Sequence, residues 1–290
     1  MNKILQMLEN TLVCPWDRSF MNWISGAFKC PTCSRSFSHQ NNRTSFPPAT
    51  EKLTNSSLTG TDLPDFSDPN FFNDSLVQSS IALREIPAIR ELAVELVAGG
   101  GILVDLATGP GGGLIPALAK RMMDGNFCIG TDLNPAVAKG WGDLFFGSEL
   151  GREKFTMLEL DLTAGLPFRQ DSVTAFIGAG VGNILDLGKV VKEARECLKP
   201  DGYMVFLEWL FPEDSPSGIY LKKNFPQVIC TRKGYQDICD TESFNLELSE
   251  VLRVERGKRS EGDSLPLNED EEMFLHLVRL SFPNEKHTRS

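Results

Sequence analysis

An α/β fold with a doubly wound, mostly parallel sheet is what the sequence predicts, on three observations. From about residue 76 onward, short apolar runs alternate with longer stretches of helical periodicity. The first strand-like run, GILVDLA over residues 101–107, passes directly into TGPGGG, with four glycines in the five positions 109–113. The chain, 290 residues long and 41% hydrophobic, can bury one good-sized core and carry a small appendage. Strands joined by helices run parallel because each crossover returns the chain to the same edge of the sheet.

Each element has its own local reason. Residues 1–46 hold three of the seven cysteines and two of the four tryptophans, with few long apolar runs, and read as a ribbon-like N-terminal segment. Residues 47–75 are rich in Ser, Thr, Asn, Asp and Pro and read as a linker or irregular lid. SSIALREIPAIRELAVELVA has apolar residues at helical spacing, with Pro87 as a kink or a start. GILVDLA is a buried strand, LIPALAKRMM is helix-like, and NFCIGTDL is a second strand. PAVAKGWGDLFF reads as a helix, KFTMLELDL and VTAFIGAG as strands three and four. LGKVVKEARECL is strongly amphipathic and stops at Pro200 and Gly202. GYMVFLEWL is strand five, GYQDICDTESF a helix, and residues 244–256 and 272–282 the late strands.

In such a sheet ligands bind beyond the carboxyl ends of the strands, near the switch in strand order. Gly109, Gly111, Gly112 and Gly113 lack Cβ atoms, so the chain can turn sharply there and a ligand can lie against it. The following helix, from about Leu114, points its N-terminus at the same place. The dinucleotide pattern G-x-G-x-x-G fits poorly, because its sixth position is Leu114. Asp105, four residues before Gly109, would repel a pyrophosphate and suits a cationic or amine-bearing ligand.

These residues resemble the class I S-adenosylmethionine-dependent methyltransferases over roughly residues 80–282. VDLATGPGG looks like the family's first motif, TDLNP like the end of its second strand, LELDLTAGLPF like its adenine-binding stretch, and ARECLKPDGYMVF like its helix, turn and fifth strand. The resemblance implies a seven-stranded Rossmann-like sheet with the last strand antiparallel. It implies S-adenosyl-L-methionine as cofactor, held by Asp105, Ala107, Gly109, Gly111, Asp132, Leu133, Asp161, Leu162 and Gly178. Asp132 would take the ribose hydroxyls, and Asp161 with Leu162 the adenine. For both acids the competing reading is loop capping.

The N-terminal segment carries Cys14-Pro-Trp-Asp17 and Cys30-Pro-Thr-Cys33, two knuckles in the layout of a zinc ribbon. Asp17 stands where a fourth cysteine would, so Cys14, Asp17, Cys30 and Cys33 form a candidate structural zinc site, with His39 as an alternative fourth ligand. A ribbon that folds without metal is the competing reading. Cys128 and Cys197 fall in apolar patterns and read as core.

A net charge of -10 argues against a nucleic-acid partner, since no basic stripe stands out. No apolar run approaches the ~20 residues a bilayer span needs, and the N-terminus has no secretory h-region. Seven scattered cysteines point to a reducing compartment, and the cytoplasm is the expected location. No residue stands out as a general base; Glu208, Trp209 and Tyr220 are candidates for lining an acceptor pocket. A small-molecule acceptor is favoured, with PEDSPSGIYLKKNFPQ as a capping insertion. The alternatives are an RNA or protein methyltransferase using the ribbon for substrate, and a non-catalytic S-adenosylmethionine-fold binding protein.

Overall fold

The computed structural model describes residues 2–46, 70–257 and 265–283. The N-terminal unit is α1 (Lys3–Thr11), β1 (Asn22–Ile24), β2 (Ala27–Lys29), β3 (Ser36–Gln40) and β4 (Arg43–Ser45). Then come α2 (Phe71–Arg84), α3 (Pro87–Ala98), β5 (Gly101–Leu106), α4 (Ile115–Leu118), β6 (Asn126–Asp132), α5 (Pro135–Gly147), α6 (Glu149–Lys154) and β7 (Phe155–Glu159). β8 (Val173–Ala179) is followed by a short 3-10 turn at Val181–Asn183, then α7 (Leu187–Cys197) and β9 (Leu198–Leu210). The chain closes with α8 (Pro216–Asn224), α9 (Arg232–Glu242), β10 (Asn245–Leu248), β11 (Arg253–Arg256) and β12 (Glu272–Ser281).

Among the described residues the sheet runs β1-β2-β3-β4-β7-β6-β5-β8-β9-β12-β10, with β11 also on β12. Its middle, from β7 to β10, is the seven-stranded sheet the resemblance implies. β12, the last strand, runs antiparallel to β9. β10 and β11 are two separate pieces, both paired with β12, where the sequence reads one strand over 244–256.

Alternate residues along each strand serve opposite faces, as the period of two requires. Val104, Ile129, Leu158, Phe176 and Phe206 join one apolar layer, beneath α1, α7 and α9. Leu103, Cys128, Met157, Ile177 and Val205 join the other, beneath α2 to α5. This is a three-layer α/β/α arrangement. The helices start where capping chemistry allows. The Asn134 side chain accepts the Ala136 N–H at the head of α5, Asp186 the Lys189 N–H at α7, and Thr231 the Gly234 N–H at α9.

Three sequence expectations change here. The helical pattern over 79–98 is two helices, α2 and α3, and Pro87 opens the second; its ring tolerates only a first helical turn. LIPALAKRMM contains only the short helix α4. The segment read as a linker over 47–75 lies outside the described residues up to 69, while 71–75 already belong to α2.

The N-terminal unit is built onto the sheet. β4 lies parallel to β7, with Arg43 opposite Met157, Thr44 opposite Leu158 and Ser45 opposite Glu159. Asn42, 4% exposed, sends its Nδ2 to the carbonyls of Gly151 and Phe155 at 3.3 and 3.1 Å. The N-terminal residues Ile4, Leu8, Phe37 and Phe46 share one apolar cluster with Val104, Leu158 and Phe176. An otherwise bare edge of the parallel sheet is thereby covered.

Candidate active site and metal centre

β5 and β6 end side by side, and threonines lace their ends together. The Thr108 N–H donates to the Thr131 carbonyl at 2.8 Å, and the Thr131 N–H to Thr108 Oγ1 at 3.2 Å. Thr131 Oγ1 donates to the Asp105 carbonyl at 2.9 Å. Ala107, at φ +49°, takes the left-handed conformation that turns the chain out of the strand. Beyond it the glycine loop runs over the carboxyl ends of the central strands. Gly111 is exposed, with nothing within 4 Å of where a Cβ would stand.

Asp132 closes β6 and reaches the loop. Its Oδ2 accepts the Gly109 N–H at 2.8 Å and its Oδ1 the Asn134 N–H at 2.8 Å. Each oxygen keeps a further lone pair for a ligand hydroxyl. Burial raises its carboxyl above the ordinary value, against these two N–H bonds. Leu133, 40% exposed, flanks it.

Asp105 is placed elsewhere than the loop surface. It is fully buried under the loop, and a Cβ on Gly113 would stand 2.5 Å from its Oδ2. Neither oxygen has an aligned hydrogen-bond partner. Burial chiefly pushes its pKa up to about 8, with Asp132 adding to the rise and the Thr108 hydroxyl and Leu114 N–H opposing it. It lies beneath the loop against Gly113, a different place from a carboxylate facing a ligand amine.

Asp161 caps its own loop, accepting the Thr163 N–H at 2.9 Å and the Thr163 hydroxyl at 2.7 Å. It remains partly exposed, while Leu162 is 4% exposed and belongs to the core. Gly178 is buried between strands: a Cβ would stand 2.3 Å from Val181 Cγ2 and 3.2 Å from the Leu106 carbonyl. Ala107, Gly109, Gly111, Asp132 and Leu133 therefore gather at one strand-end site. Asp161 lies in the loop after the neighbouring strand β7.

Glu208, near the end of β9, is fully buried behind the turn that follows β8. Its Oε1 accepts the Gly182 N–H at 3.1 Å. The Tyr235 hydroxyl of α9 lies beside it, out of line for a hydrogen bond, and Oε2 has no partner. Burial pushes the Glu208 carboxyl from 4.5 up to about 7. A raised carboxyl contributes its stability in full below the unfolded value, and loses it as pH rises through the folded one. Between pH 4.5 and 7 the protein is therefore expected to lose stability relative to its Glu208→Gln variant, measured by urea unfolding across that range. The Asp105 contribution is common to both and cancels. A difference that stays flat with pH would contradict the assignment.

A cavity of about 300 Å³ is built from the segments that follow β8 and β9. Asp186, Glu213, Lys222, Cys230, Lys233 and Asp237 line it. Part of the insertion over 212–227 walls it, as residues Glu213, Gly218 and Lys222 show. Glu208, Trp209 and Tyr220 are not among its lining.

In the N-terminal unit the donor atoms of Cys14, Asp17, Cys30 and Cys33 all lie within 4.8 Å of one another. Both knuckles share one backbone pattern. The Cys14 N–H donates to the Ser19 carbonyl and the Arg18 N–H to Cys14; Cys30, Arg35 and Ser34 repeat this. Arg18 and Ser34, at matching positions, have φ of +60° and +61°. Asp17 thus occupies the place that Cys33 holds in the second knuckle. Cys14 Sγ is 3.5 Å from Cys33 Sγ, and Cys30 Sγ is 3.2 Å from Asp17 Oδ2. The Ser19 N–H holds the Asp17 carboxyl well below the usual range, and the Arg35 N–H lowers the Cys33 thiol. Burial pushes Cys14 up to about 12. His39 stands apart, with Nδ1 on the Thr44 hydroxyl at 2.8 Å.

Residues 104–206 match the family described as methyltransferase domain. No curated protein matches the chain. Among solved structures, a geranyl diphosphate methyltransferase in complex with S-adenosylmethionine is similar at 18% identity. The match covers 78% of this chain and 98% of that one, with a TM-score of 0.51. The geranyl diphosphate C-methyltransferase of Streptomyces coelicolor A3(2) is similar at 17% identity, over 68% of this chain and 77% of that one, with a TM-score of 0.49. Phosphoethanolamine N-methyltransferase 2 of Haemonchus contortus is similar at 15%, over 64% and 49%, with a TM-score of 0.47. At these identities the likeness is one of fold.

Proposed function

We propose that this chain, a class I S-adenosylmethionine-dependent methyltransferase, delivers its methyl group to a small-molecule acceptor held beyond β8 and β9. The observation that carries this reading is the cavity of about 300 Å³ there, of a size for a small ligand, open on one side and walled in part by the 212–227 insertion. The -10 net charge and the absence of a basic stripe in the sequence point the same way.

The strand-end residues fit S-adenosylmethionine. Asp132 presents a carboxylate with free lone pairs beside an open glycine loop, the donor set that vicinal ribose hydroxyls require. Asp132 would hold the ribose, Leu133 would pack on the adenosine, and Asp161 would meet the adenine. Gly109 and Gly111 would let the backbone approach. Asp105 supports the loop from below. When bound, S-adenosylmethionine supplies a methyl group on a positively charged sulfur, open to attack by a nucleophile. The protein's part is to place the acceptor in line and keep water out. A base is needed only where the acceptor atom carries a proton.

The Cys14, Asp17, Cys30 and Cys33 group is proposed to hold a structural zinc ion. Three sulfurs and one carboxylate oxygen suit zinc, and a tetrahedron with arms of about 2.3 Å sets its corners about 3.8 Å apart. Two of the corner separations, Cys14 Sγ to Cys33 Sγ at 3.5 Å and Cys30 Sγ to Asp17 Oδ2 at 3.2 Å, lie close to that spacing.

The test of the function is a mass-spectrometric screen. The protein is incubated with S-adenosylmethionine and pooled small metabolites, each scored for the mass of one added methyl group, with RNA and peptide pools alongside. A methylated small molecule is the expected result. Methyl transfer to RNA or peptide alone would overturn the small-molecule reading.

A further inference from the structure

The glycine loop is fixed from below by a residue in none of the motifs. Trp141, in the middle of α5, is fully buried, and its Nε1–H donates to the Gly109 carbonyl at 2.9 Å. The same oxygen accepts the Gly112 N–H at 3.2 Å, so the turn closes on an acceptor that the indole also holds. The Gly109 N–H is held from the other side by Asp132. Both polar groups of one residue, at φ +64°, are thus assigned. The ring also fills the space under Gly112, where a Cβ would stand 2.7 and 2.9 Å from indole carbons.

The indole is itself held firmly. The Phe72 ring meets it edge-on at 5.4 Å, and the Phe145 ring stacks at 5.7 Å. Its two neighbours on α5 are glycines. Gly140 admits the Phe72 ring, and Gly142 admits the β3–β4 turn, whose Asn41 carbonyl would lie 3.0 Å from a Cβ there. The N-terminal unit and α2 therefore both brace the helix that carries the loop's support.

We propose that Trp141 is a positioning residue for S-adenosylmethionine: its indole N–H sets the Gly109 carbonyl, and so the direction of the loop against which the cofactor lies. This rests on the assignment of that loop and Asp132 to the cofactor. Trp141 holds the loop and is itself fully buried, so its loss acts on affinity through geometry. A donor lost from a constrained turn lets the peptide rotate, and a small misplacement is costly where several bonds must be made together.

The experiment is calorimetric titration of S-adenosylhomocysteine into the full chain, beside thermal unfolding without ligand. Trp141→Phe keeps a ring and removes the N–H. Trp141→3-benzothienylalanine puts sulfur in place of the N–H, keeps the indole shape, and serves if the Phe variant fails to fold. Either is expected to weaken binding about three- to tenfold, the worth of one neutral hydrogen bond. Leu96→Ala, on α3 in the same apolar layer but away from the indole and the loop, is expected to lower the melting point and leave affinity unchanged. Wild-type affinity in the sulfur variant overturns the proposal. So does a Leu96→Ala variant that loses affinity as much, since a general loosening of the core would then account for the effect. A wild-type protein that binds no S-adenosylhomocysteine would instead overturn the cofactor assignment, and this inference with it.

Discussion

Asp132→Ala is expected to weaken S-adenosylhomocysteine binding by about a hundredfold or more. Two hydrogen bonds from ribose hydroxyls to a carboxylate are worth about 1.5–3 kcal/mol each, and about 1.4 kcal/mol is a tenfold change. The substitution also frees the Gly109 and Asn134 N–H groups that the two oxygens now hold. The loop loses its anchor on the side opposite Trp141. Asp132→Asn keeps an acceptor of the same shape without the charge and should fall between the two. Calorimetry reads the affinities, and thermal unfolding separates loss of fold from loss of site. An Ala variant that binds as tightly as the wild type would remove Asp132 from the cofactor site.

Cys30→Ser is expected to release one zinc ion per chain and to lower the melting point by about 5–10 °C, a loss of a few kcal/mol in a chain of this size. The metal's absence would be felt beyond the ribbon. Phe37 and Phe46 share a core with Val104 and Phe176, and β4 pairs with β7. Asp17 gives the sharper comparison. Asp17→Cys completes four thiolates and should retain zinc against a chelator longer than the wild type does. Asp17→Ala should lose it sooner. Elemental analysis after dialysis, with and without chelator, reads each variant. Wild-type protein expressed with zinc present, yet carrying none and unmoved by chelator, would establish a ribbon that folds without metal.

The strand-end site was legible because its parts are local in sequence. Gly109 and Gly111 follow β5 within a few residues, and Asp132 ends β6 within its own run, so periodicity and turn chemistry place them. The strands of the sheet were legible for the same reason, element by element, while their number of seven and the antiparallel last strand are what the family resemblance implied. What sequence reading missed in the site is non-local. Trp141 lies 32 positions from Gly109, and in the pattern PAVAKGWGDLFF it is one more apolar residue on a helix. The two glycines flanking it were the available signal, since helix glycines cost stability unless something packs against them. Asp105 was assigned to the right strand end but to a ligand-facing role. Which side of a loop a carboxylate faces depends on how the loop folds over it.

The sequence by itself determined the α/β class, the glycine turn and acid of the site, and the two knuckles with Asp17 in place of a cysteine. These follow from residue type and short spacing, which act through backbone sterics and near-neighbour hydrogen bonds. Tertiary structure alone decided that the ribbon-like unit extends the main sheet through β4 and β7. It also decided that Glu208 and Asp105 are buried with unpaired oxygens, and that α5 carries the loop on an indole. Each of these depends on groups far apart in the chain being brought within a few ångströms. Burial and pairing at that range are properties of the packed molecule, set by how the two apolar layers close on the sheet.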